Sequence, residues 1–511
     1  MILALLPLIH IFLGMAAIAW KACARATLII ALLADIGLVA LYFSPVSHVL
    51  SATAAGGWTE AIGIRLMLDS LALDFLLLTV LLEAAVLIYL WRQRLHPTFV
   101  LLLQFLIGAV MALVLSQDLF NIYVILELLT LVSFLLVAYD RRTFQIWASL
   151  KYLILASIGM SIFLIGVAIV YANVGSLGFA EIGVVVADNP QAGWIPLAAA
   201  LLTAGVAVKA GILIFSLWLP DAHSAAPAAI SAFLSALVIK MGVVVLIRLA
   251  HVFPLGPTLK ILGTITGIGG AIYAMSSRDL KRMLAFHTLS QIGYLLIGMS
   301  VPEYGAESGV LAYAMAHGSF KALLFLAAGA AYDVVGSTDI GHLILERHRI
   351  PLRTRSALLL GTLAIVGLPP FDGYIAKAPL LAATHDWTSQ IVLILLGIGT
   401  AASFAKLIPL FKGPYRRVGN DPAWESYVVL ALPIILFLPI ERALFGTAFT
   451  LPVMSWFLAV ESIVIVAVGW LVYRIHRRLR VRPSERLFRL EPAIFALMIG
   501  FIAIYLVLRF L

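Results

Sequence analysis

Cysteine and charge are both scarce in this 511-residue chain. Cys23 is the single cysteine, which excludes an internal disulfide, a paired redox motif and a cysteine-based metal cluster. Charged residues make up 12% of the chain and hydrophobic residues 63%, a balance that excludes an ordinary soluble globular domain. No quinone, flavin, nicotinamide or iron–sulfur motif is recognisable in the sequence. We therefore expect this chain to bind no cofactor and no metal.

Long apolar runs recur along the whole chain. A helix needs about 20 residues to cross the roughly 30 Å hydrocarbon core of a bilayer. The first run lacks a basic segment and a persuasive small-residue cleavage site, so we interpret it as a span and not as a signal peptide. The sequence predicts an all-α polytopic membrane protein with sixteen spans, at 1–20, 26–43, 70–91, 98–116, 120–139, 151–171, 194–217, 230–250, 258–275, 282–300, 307–332, 356–384, 390–411, 424–440, 451–473 and 491–511.

The net charge of +9 does not indicate a nucleic-acid partner, because the basic residues lie in short connections and form no single soluble face. They occupy alternate loops, as Lys21/Arg25, Arg92/Arg94, Arg141/Arg142, Arg278/Lys281/Arg282, Arg347/Arg349/Arg353/Arg355, Lys412/Arg416/Arg417 and the run from Arg474 to Arg489. The positive-inside rule then predicts both termini on the outer side of a bacterial or archaeal plasma membrane. The Arg-rich segment 474–490 is predicted to lie along the inner membrane surface or to be a solvated loop.

Ionisable residues inside the spans carry the functional signal, because each costs about 3 kcal/mol or more at the bilayer centre unless it faces protein, water or a partner. Glu127 has no arginine within reach and is interpreted as a functional carboxylate or a structural ion-pair partner. Lys209 lies between Gly205 and Gly211, which weaken the helix and favour an interruption of the kind that admits water. Lys240 lies at the centre of its span, too far from either end to snorkel.

Three further residues extend this set in the later spans. His317 and Lys321 are four residues apart and share a helical face, so they suit a proton relay, since histidine titrates near neutral pH; the alternative is a buried pair that only satisfies backbone carbonyls. Lys377 follows GLPPFDGYIAK, whose glycines and prolines must break the span around it. It is the counterpart of Lys209.

Other buried polar residues are more ambiguous. His223, His287 and Lys406 are additional candidates for the path. The alternative for His287 is a hydrogen-bonded core residue, and for Lys406 it is a snorkelling side chain. The single acids Asp35, Glu83 and Glu461 are expected to form structural pairs, with Glu461 a candidate subunit contact.

Two stretches of the chain follow one plan, each with five spans and a broken fourth helix that carries a lysine. An odd number of spans gives the two stretches opposite membrane orientations, the inverted repeat of many transporters. The predicted organisation is N-terminal helices 1–97, a first repeat 98–250, a second repeat 258–411 and C-terminal helices 424–511.

Four segments carry a resemblance to a known family: KAGILIFSLWLPDAHSAAPAAISAFLSALVIKMG (209–242), SRDLKRMLAFHTLSQIGY (277–294), HGSFKALLFLAAG (317–329) and GLPPFDGYIAK (367–377). Their order and spacing resemble the antiporter-like subunit family across roughly 60–415. That family includes the proton-pumping subunits of respiratory complex I, subunits of multi-subunit Na⁺/H⁺ antiporters and membrane subunits of energy-converting hydrogenases. The resemblance implies a core of about fourteen helices, to which this chain adds about two at its C-terminus.

The resemblance also implies roles for individual residues. By position, Glu127 resembles the fifth-helix glutamate and Lys209 its seventh-helix lysine partner. Lys240 resembles the central eighth-helix lysine. The eleventh-helix relay corresponds to His317 and Lys321, and the terminal twelfth-helix lysine corresponds to Lys377.

One motif departs from the family pattern. Many members read Pro-Leu-His before the tryptophan of the seventh helix, whereas this chain has Ile214, Phe215 and Ser216. The loss of that proline and histidine changes the polar groups available to a local water path. The last two spans lie beyond the usual core and are expected to dock a partner subunit.

Three functions are compatible with these observations. The favoured one is translocation of protons, or of a coupled cation such as Na⁺, by a buried Lys/Glu/His and water relay. In that case the chain is one subunit of an antiporter or of a redox-driven complex resembling NADH:quinone oxidoreductase or hydrogenase, and any redox chemistry resides in other subunits. The alternatives are a self-sufficient cation/proton transporter and a structural scaffold of the complex. The expected partners are other membrane subunits, protons and the lipid bilayer.

Overall fold

A computed structural model of the chain describes residues 2–44, 53–54, 63–301, 306–413, 424–445, 456–479 and 483–510. The described residues form the α-helices α1 Ile2–Ala19, α2 Ala24–Tyr42, α3 Ser70–Leu90, α4 Pro97–Leu115, α5 Leu119–Val137, α6 Thr143–Val174, α7 Phe179–Asp188, α8 Trp194–Ala207, α9 Leu219–Ala225, α10 Ala228–Phe233, α11 Ile239–Ala250, α12 Gly256–Ser276, α13 Leu280–Met299, α14 Ala306–Val335, α15 Ile340–Leu345, α16 Leu352–Val366, α17 Asp372–Ala383, α18 Trp387–Ala405, α19 Trp424–Phe445, α20 Trp456–Leu479 and α21 Leu490–Phe510. Two short strands, β1 Thr53–Ala54 and β2 Arg65–Leu66, pair antiparallel.

The all-α prediction is confirmed, and each of the sixteen predicted spans contains helix, although the helical part of 194–217 ends at Ala207. Eleven helices among the described residues are long and apolar enough to cross a membrane. The first residue of span one, the first five of span fifteen and the last of span sixteen lie outside the described residues.

Two boundaries differ from the sequence prediction. Helix α6 begins at Thr143, eight residues before the predicted 151, because the backbone N–H of Arg142 donates to Gln145 Oε1 at 3.2 Å and closes the first turn. Helix α20 continues to Leu479, so the first part of the Arg-rich segment is helical; residues 480–482 lie outside the described part. Basic side chains near a helix C-terminus interact favourably with the helix dipole.

Both predicted helix breaks are present. Helix α8 ends at Ala207, and the backbone is irregular until α9 begins at Leu219. Helix α16 ends at Val366, its C-cap Gly367 adopts φ +83°, and α17 begins at Asp372. Positive φ is strained for a side chain with a Cβ, so glycine suits this end of the helix. A helix break leaves backbone carbonyls and N–H groups without their usual partners.

The helices pack into two compact units. Unit 1 contains the described residues of Met1–Trp218, Leu237–Thr258 and Phe488–Leu511. Unit 2 contains those of Leu219–Ala236 and Leu259–Leu487. In unit 1, α1 packs on α4 and the C-terminal helix α21 packs on α8. In unit 2, α14 packs on both halves of the second broken helix, and α20 packs on α18.

Candidate functional site

Backbone carbonyls left without helical partners at the end of α8 accept hydrogen bonds from side chains later in the first break. Ser216 Oγ donates to the carbonyl oxygen of Ala207 at 3.0 Å and to that of Val208 at 2.9 Å. Trp218 Nε1 also donates to the Val208 carbonyl, at 3.0 Å. The serine that departs from the family's Pro-Leu-His pattern therefore stabilises the end of α8.

Lys209 lies at the start of this break and is buried. Its Nζ donates to Thr130 Oγ1 on α5 and lies 5.2 Å from the ring centroid of Tyr152 on α6. Glu127, one turn earlier on α5, attracts Lys209 electrostatically. Glu127 Oε1 is buried and has no hydrogen-bond donor among the described residues. The structure thus brings together the glutamate and lysine that the sequence predicted as partners.

Lys240 is fully buried in α11, also in unit 1. The five residues before Ile239, Leu234–Val238, form a π-helical turn, a feature that is frequent at functional sites. Gly242 lies against the backbone of Lys209 and Ala210, since a Cβ at Gly242 would overlap the backbone nitrogen of Ala210. The helix of Lys240 therefore touches the broken segment that carries Lys209.

In unit 2, Lys321 is the centre of a buried group. Its Nζ donates to the carbonyl oxygen of Leu284 and lies 5.5 Å from the ring centroid of Phe325. The imidazole of His223 lies 6.1 Å from the same ring. The charge of Lys321 acts on both His223 and His287. Three of the predicted residues therefore lie in one electrostatic neighbourhood.

The histidines His287 on α13 and His317 on α14 are fully buried among aromatic rings. His317 lies 5.5 Å from Phe320 in an edge-on arrangement, and His287 lies 4.7 Å from Phe404. Neither ring nitrogen of His287 has a hydrogen-bond partner among the described residues. Within the described residues, His287 therefore does not form the hydrogen bond that its alternative interpretation as a core residue requires.

Lys406 has a clear structural contact. Its Nζ donates to the carbonyl oxygens of Ala274, Met275 and Ser277 at 2.8, 3.0 and 2.7 Å. These carbonyls end helix α12, so Lys406 caps that helix. Its 8% exposure also differs from the snorkelling arrangement predicted as its alternative.

Lys377 lies in the second turn of α17, just after the second break, and is also buried. Its Nζ donates to the Ile365 carbonyl at 3.3 Å, an oxygen in the last turn of α16. The ring centroids of Tyr294 and Tyr313 lie 4.8 and 5.6 Å from this Nζ. Both rings are within cation–π distance of the ammonium. A Cβ at Gly367 would be 3.3 Å from the Nζ, so glycine there leaves room for the lysine.

A cavity of about 40 Å³ lies beside Lys377, enough space for about two water molecules. Tyr294, Tyr374 and Glu461 also line it. Glu461 belongs to α20, one of the two helices that the sequence assigned beyond the usual core. Glu461 of that helix and Lys377 therefore line the same cavity.

These observations agree with comparisons to known proteins. The model of the family described as NADH:quinone oxidoreductase/Mrp antiporter, transmembrane, matches residues 116–403, more than half of the chain. The chain belongs to this family. The match covers every candidate path residue from Glu127 to Lys377 but leaves Lys406 and Glu461 outside.

Individual relatives of this antiporter family match over part of their length. An NADH-quinone oxidoreductase subunit of Desulforudis audaxviator is 31% identical over 257 residues, 48% of this chain and 51% of the relative. A Na⁺/H⁺ antiporter subunit of Alkalihalophilus pseudofirmus is 29% identical over 288 residues, 54% of this chain and 57% of the relative. The chain thus spans about half the length of these relatives.

A solved structure matches far more of the chain. One chain of the membrane-bound sulfane sulfur reductase, an archaeal respiratory membrane complex, superposes with a TM-score of 0.78 at 25% identity, covering 92% of this chain and 98% of its own length. The match establishes the antiporter-like fold that the sequence resemblance implied. The protein is an integral membrane protein of a family whose members include subunits of multisubunit membrane complexes.

One residue of this antiporter-family site was not predicted as functional. Asp372, at the first position of α17, is fully buried and attracts Lys377 electrostatically. Its Oδ1 accepts the backbone N–H of Gly373 at 2.7 Å, and its Oδ2 has no donor among the described residues. Its place in the GLPPFDGYIAK motif, directly after the break, was the signal that could have identified it. The path candidates themselves contribute to no metal-ligand cluster in the described part of the chain.

Proposed function

We propose that this chain carries protons across the membrane, alone or in exchange for another cation, as one subunit of a larger membrane complex. The names of its relatives support the complex: one is a quinone oxidoreductase subunit and another a Na⁺/H⁺ antiporter subunit. The observation that carries the proposal is the placement of Lys209 and Lys377. Each is a buried lysine at a helix break. Glu127 attracts Lys209 electrostatically, and Asp372 attracts Lys377 in the same way.

Glu127 and Lys209 form the proposed switch. Two unit charges about 4 Å apart attract by roughly 4 kcal/mol at an effective dielectric of 20, whereas about 1.4 kcal/mol changes an equilibrium tenfold. A movement of α5 that separates Glu127 from Lys209 would therefore be sufficient to switch the lysine between holding and releasing its proton. Thr130, one turn along α5, accepts a hydrogen bond from the same ammonium. Helix α5 therefore carries both the hydroxyl and the acid that act on Lys209.

Lys240, His317, Lys321 and Lys377 are the proposed later carriers. The neighbourhood of Lys321 provides His223 and His287 as groups that respond to its charge. The cavity beside Lys377 offers space for water between this lysine and Glu461. In this scheme Lys377 is the terminal carrier, and Asp372 is its counter-charge.

The decisive variant is Lys240→Met, which keeps much of the stem volume and removes the titrating group. We expect assembled complexes with this variant to lose proton flux in vesicles, with flux normalised to assembled protein. Lys151→Met is the matched control, because Lys151 is equally buried but donates to the Phe488 carbonyl in unit 1. It should keep its flux per assembled complex.

The same experiment separates the alternatives. Undiminished flux from assembled Lys240→Met complexes would contradict the relay. If Lys240→Met instead reduces assembly while flux per complex stays normal, the chain is a scaffold. Purified chain alone, reconstituted under a proton or sodium gradient, tests the third function: exchange without other subunits would show a self-sufficient transporter.

A further inference from the structure

A second group of buried ionisable residues lies in the N-terminal helices of unit 1, apart from the candidate path. His10 on α1, Asp35 on α2 and Glu83 on α3 are 0%, 0% and 2% exposed. One potential ligand atom from each lies within 4.8 Å of the other two. Three successive helices therefore each contribute one side chain to a single enclosed point.

A fourth helix fixes the orientation of the imidazole. Gln104 on α4 donates through Nε2 to the Thr27 carbonyl at 3.3 Å, which directs its Oε1 toward His10. That oxygen lies 2.6 Å from His10 Nδ1, so Nδ1 is the protonated donor. The other nitrogen, Nε2, faces Asp35 at 3.2 and 3.3 Å. A metal-binding histidine is commonly held in this way, with its remote N–H donated to a fixed acceptor.

Close packing of α1 on α4 makes this contact possible. A Cβ at Gly108 would lie 2.9 Å from His10 Cβ and 3.0 Å from the Pro7 carbonyl oxygen. Any larger residue would push α1 away from α4. Gly108 thus brings His10 within reach of Gln104.

Glu83 is the member of the group without a basic partner. No basic or amide group among the described residues donates to its carboxylate oxygens, and its neighbour in the group is the Asp35 carboxyl. With Asp35 it would place two negative charges in an enclosed site with one imidazole. Buried charge without a partner costs several kcal/mol or more, so with both acids ionised the site would need about two compensating positive charges.

We propose that His10, Asp35 and Glu83 bind one divalent transition-metal ion of the Zn²⁺ type. One imidazole nitrogen and two carboxylates are a ligand set that suits Zn²⁺, and the ion's charge balances both acids. Two ligands about 2.0–2.2 Å from a tetrahedral Zn²⁺ are about 3.3–3.6 Å apart, so binding would draw the ligand atoms together by up to about 1.5 Å from their present spacing of at most 4.8 Å. The ion would join α1, α2 and α3 and stabilise the N-terminal helices.

The test uses the purified full-length chain with Cys23→Ser as the background, because the exposed Cys23 thiol is itself a candidate Zn²⁺ ligand. After exposure to Zn²⁺ and gel filtration, retained zinc is measured by mass spectrometry. We expect about one Zn²⁺ per chain and a higher unfolding temperature with the metal, since a ligand that binds only the folded state stabilises it. Glu83→Gln should abolish both effects.

Asp74→Asn is the matched control, because Asp74 is another buried acid on α3 outside this group. It should bind Zn²⁺ like the background protein. If Glu83→Gln does not fold, Gln104→Met tests the same site without altering a ligand and should weaken Zn²⁺ binding about 10- to 100-fold. Zinc retention that is absent from the background protein, or unchanged in both variants, would overturn the proposal and leave protons as the neutralising charge.

Discussion

A buried lysine lies at each helix break, Lys209 within 208–218 and Lys377 in α17 just after 367–371, but the partners of the two lysines differ in origin. Lys209 donates to Thr130 Oγ1 and is attracted electrostatically by Glu127, and both residues lie on another helix, α5. Lys377 contacts the backbone of its own broken helix through the Ile365 carbonyl, and its acid, Asp372, is five residues earlier in the chain.

The partners of Lys209 lie on a separate helix, whereas Ile365 and Asp372 lie close to Lys377 in the sequence. A shift of α5 changes the hydroxyl and the acid beside Lys209, whereas the carbonyl and the acid beside Lys377 belong to the two halves of its own broken helix. We therefore infer that the first break responds to motion transmitted between helices. The second break, with its cavity and nearby Glu461, is better suited to exchange with water.

The largest expected effect is at the second break. Lys377→Ala removes the carrier, and Lys377→Arg retains a permanent charge that does not release a proton. Both should reduce flux of the assembled complex to background. Lys260→Arg is the control, because Lys260 is a more exposed lysine of unit 2 paired with Asp386 at 2.5 Å. Full activity of Lys377→Arg would show that a fixed charge is enough at this break.

Glu127→Ala is expected to lower coupled flux by about tenfold or more, because it removes the acid whose charge stabilises the buried ammonium of Lys209. Asp372→Asn should lower it less, because asparagine retains the side-chain oxygen that accepts the Gly373 N–H. Flux per assembled complex is the measurement, with exposed Glu181→Ala as the control. Equal losses from the two acids would remove the proposed difference between the breaks.

Gly367→Ala tests how tightly the second break surrounds its lysine. The new Cβ would lie 3.3 Å from Lys377 Nζ. The alanine would also have to keep the backbone angle φ +83°, a conformation that costs about 1–2 kcal/mol for an L-residue. Gly336→Ala is a close control, because Gly336 has φ +78° with open space around it. Both variants should lose similar unfolding stability, whereas Gly367→Ala alone should reduce flux. Equal flux in both would show that the lysine tolerates the displacement.

The smallest expected effect concerns the first break. Ser216→Ala removes the single hydroxyl donor that the Ala207 and Val208 carbonyls share at the end of α8, at about 1 kcal/mol, while the Trp218 bond remains. We expect a modest loss of unfolding stability and faster hydrogen exchange in segment 208–218. Ser403→Ala is the control, because its hydroxyl bonds only a carbonyl of its own helix, that of Gly399. Unchanged exchange in Ser216→Ala would mean that the break does not need this cap.

Local signals in the sequence were enough to predict the spans, both breaks and the buried lysines. These signals are apolar length, glycine and proline placement, and the high cost of charge in lipid. The early start of α6 and the helix α7 were missed. Helix α7 has only ten residues, too few for a membrane span, and the cap of α6 depends on a single side chain.

Which side chains meet depends on packing between distant parts of the chain. Lys209 meets Thr130 from 79 residues away, and His10 meets Gln104 from 94 residues away. Helices that are apolar on nearly every side carry no polar stripe to indicate which face meets which neighbour. The contact of Lys209 with Thr130 and the group of His10, Asp35 and Glu83 therefore follow from the tertiary structure, which hydropathy and spacing do not specify.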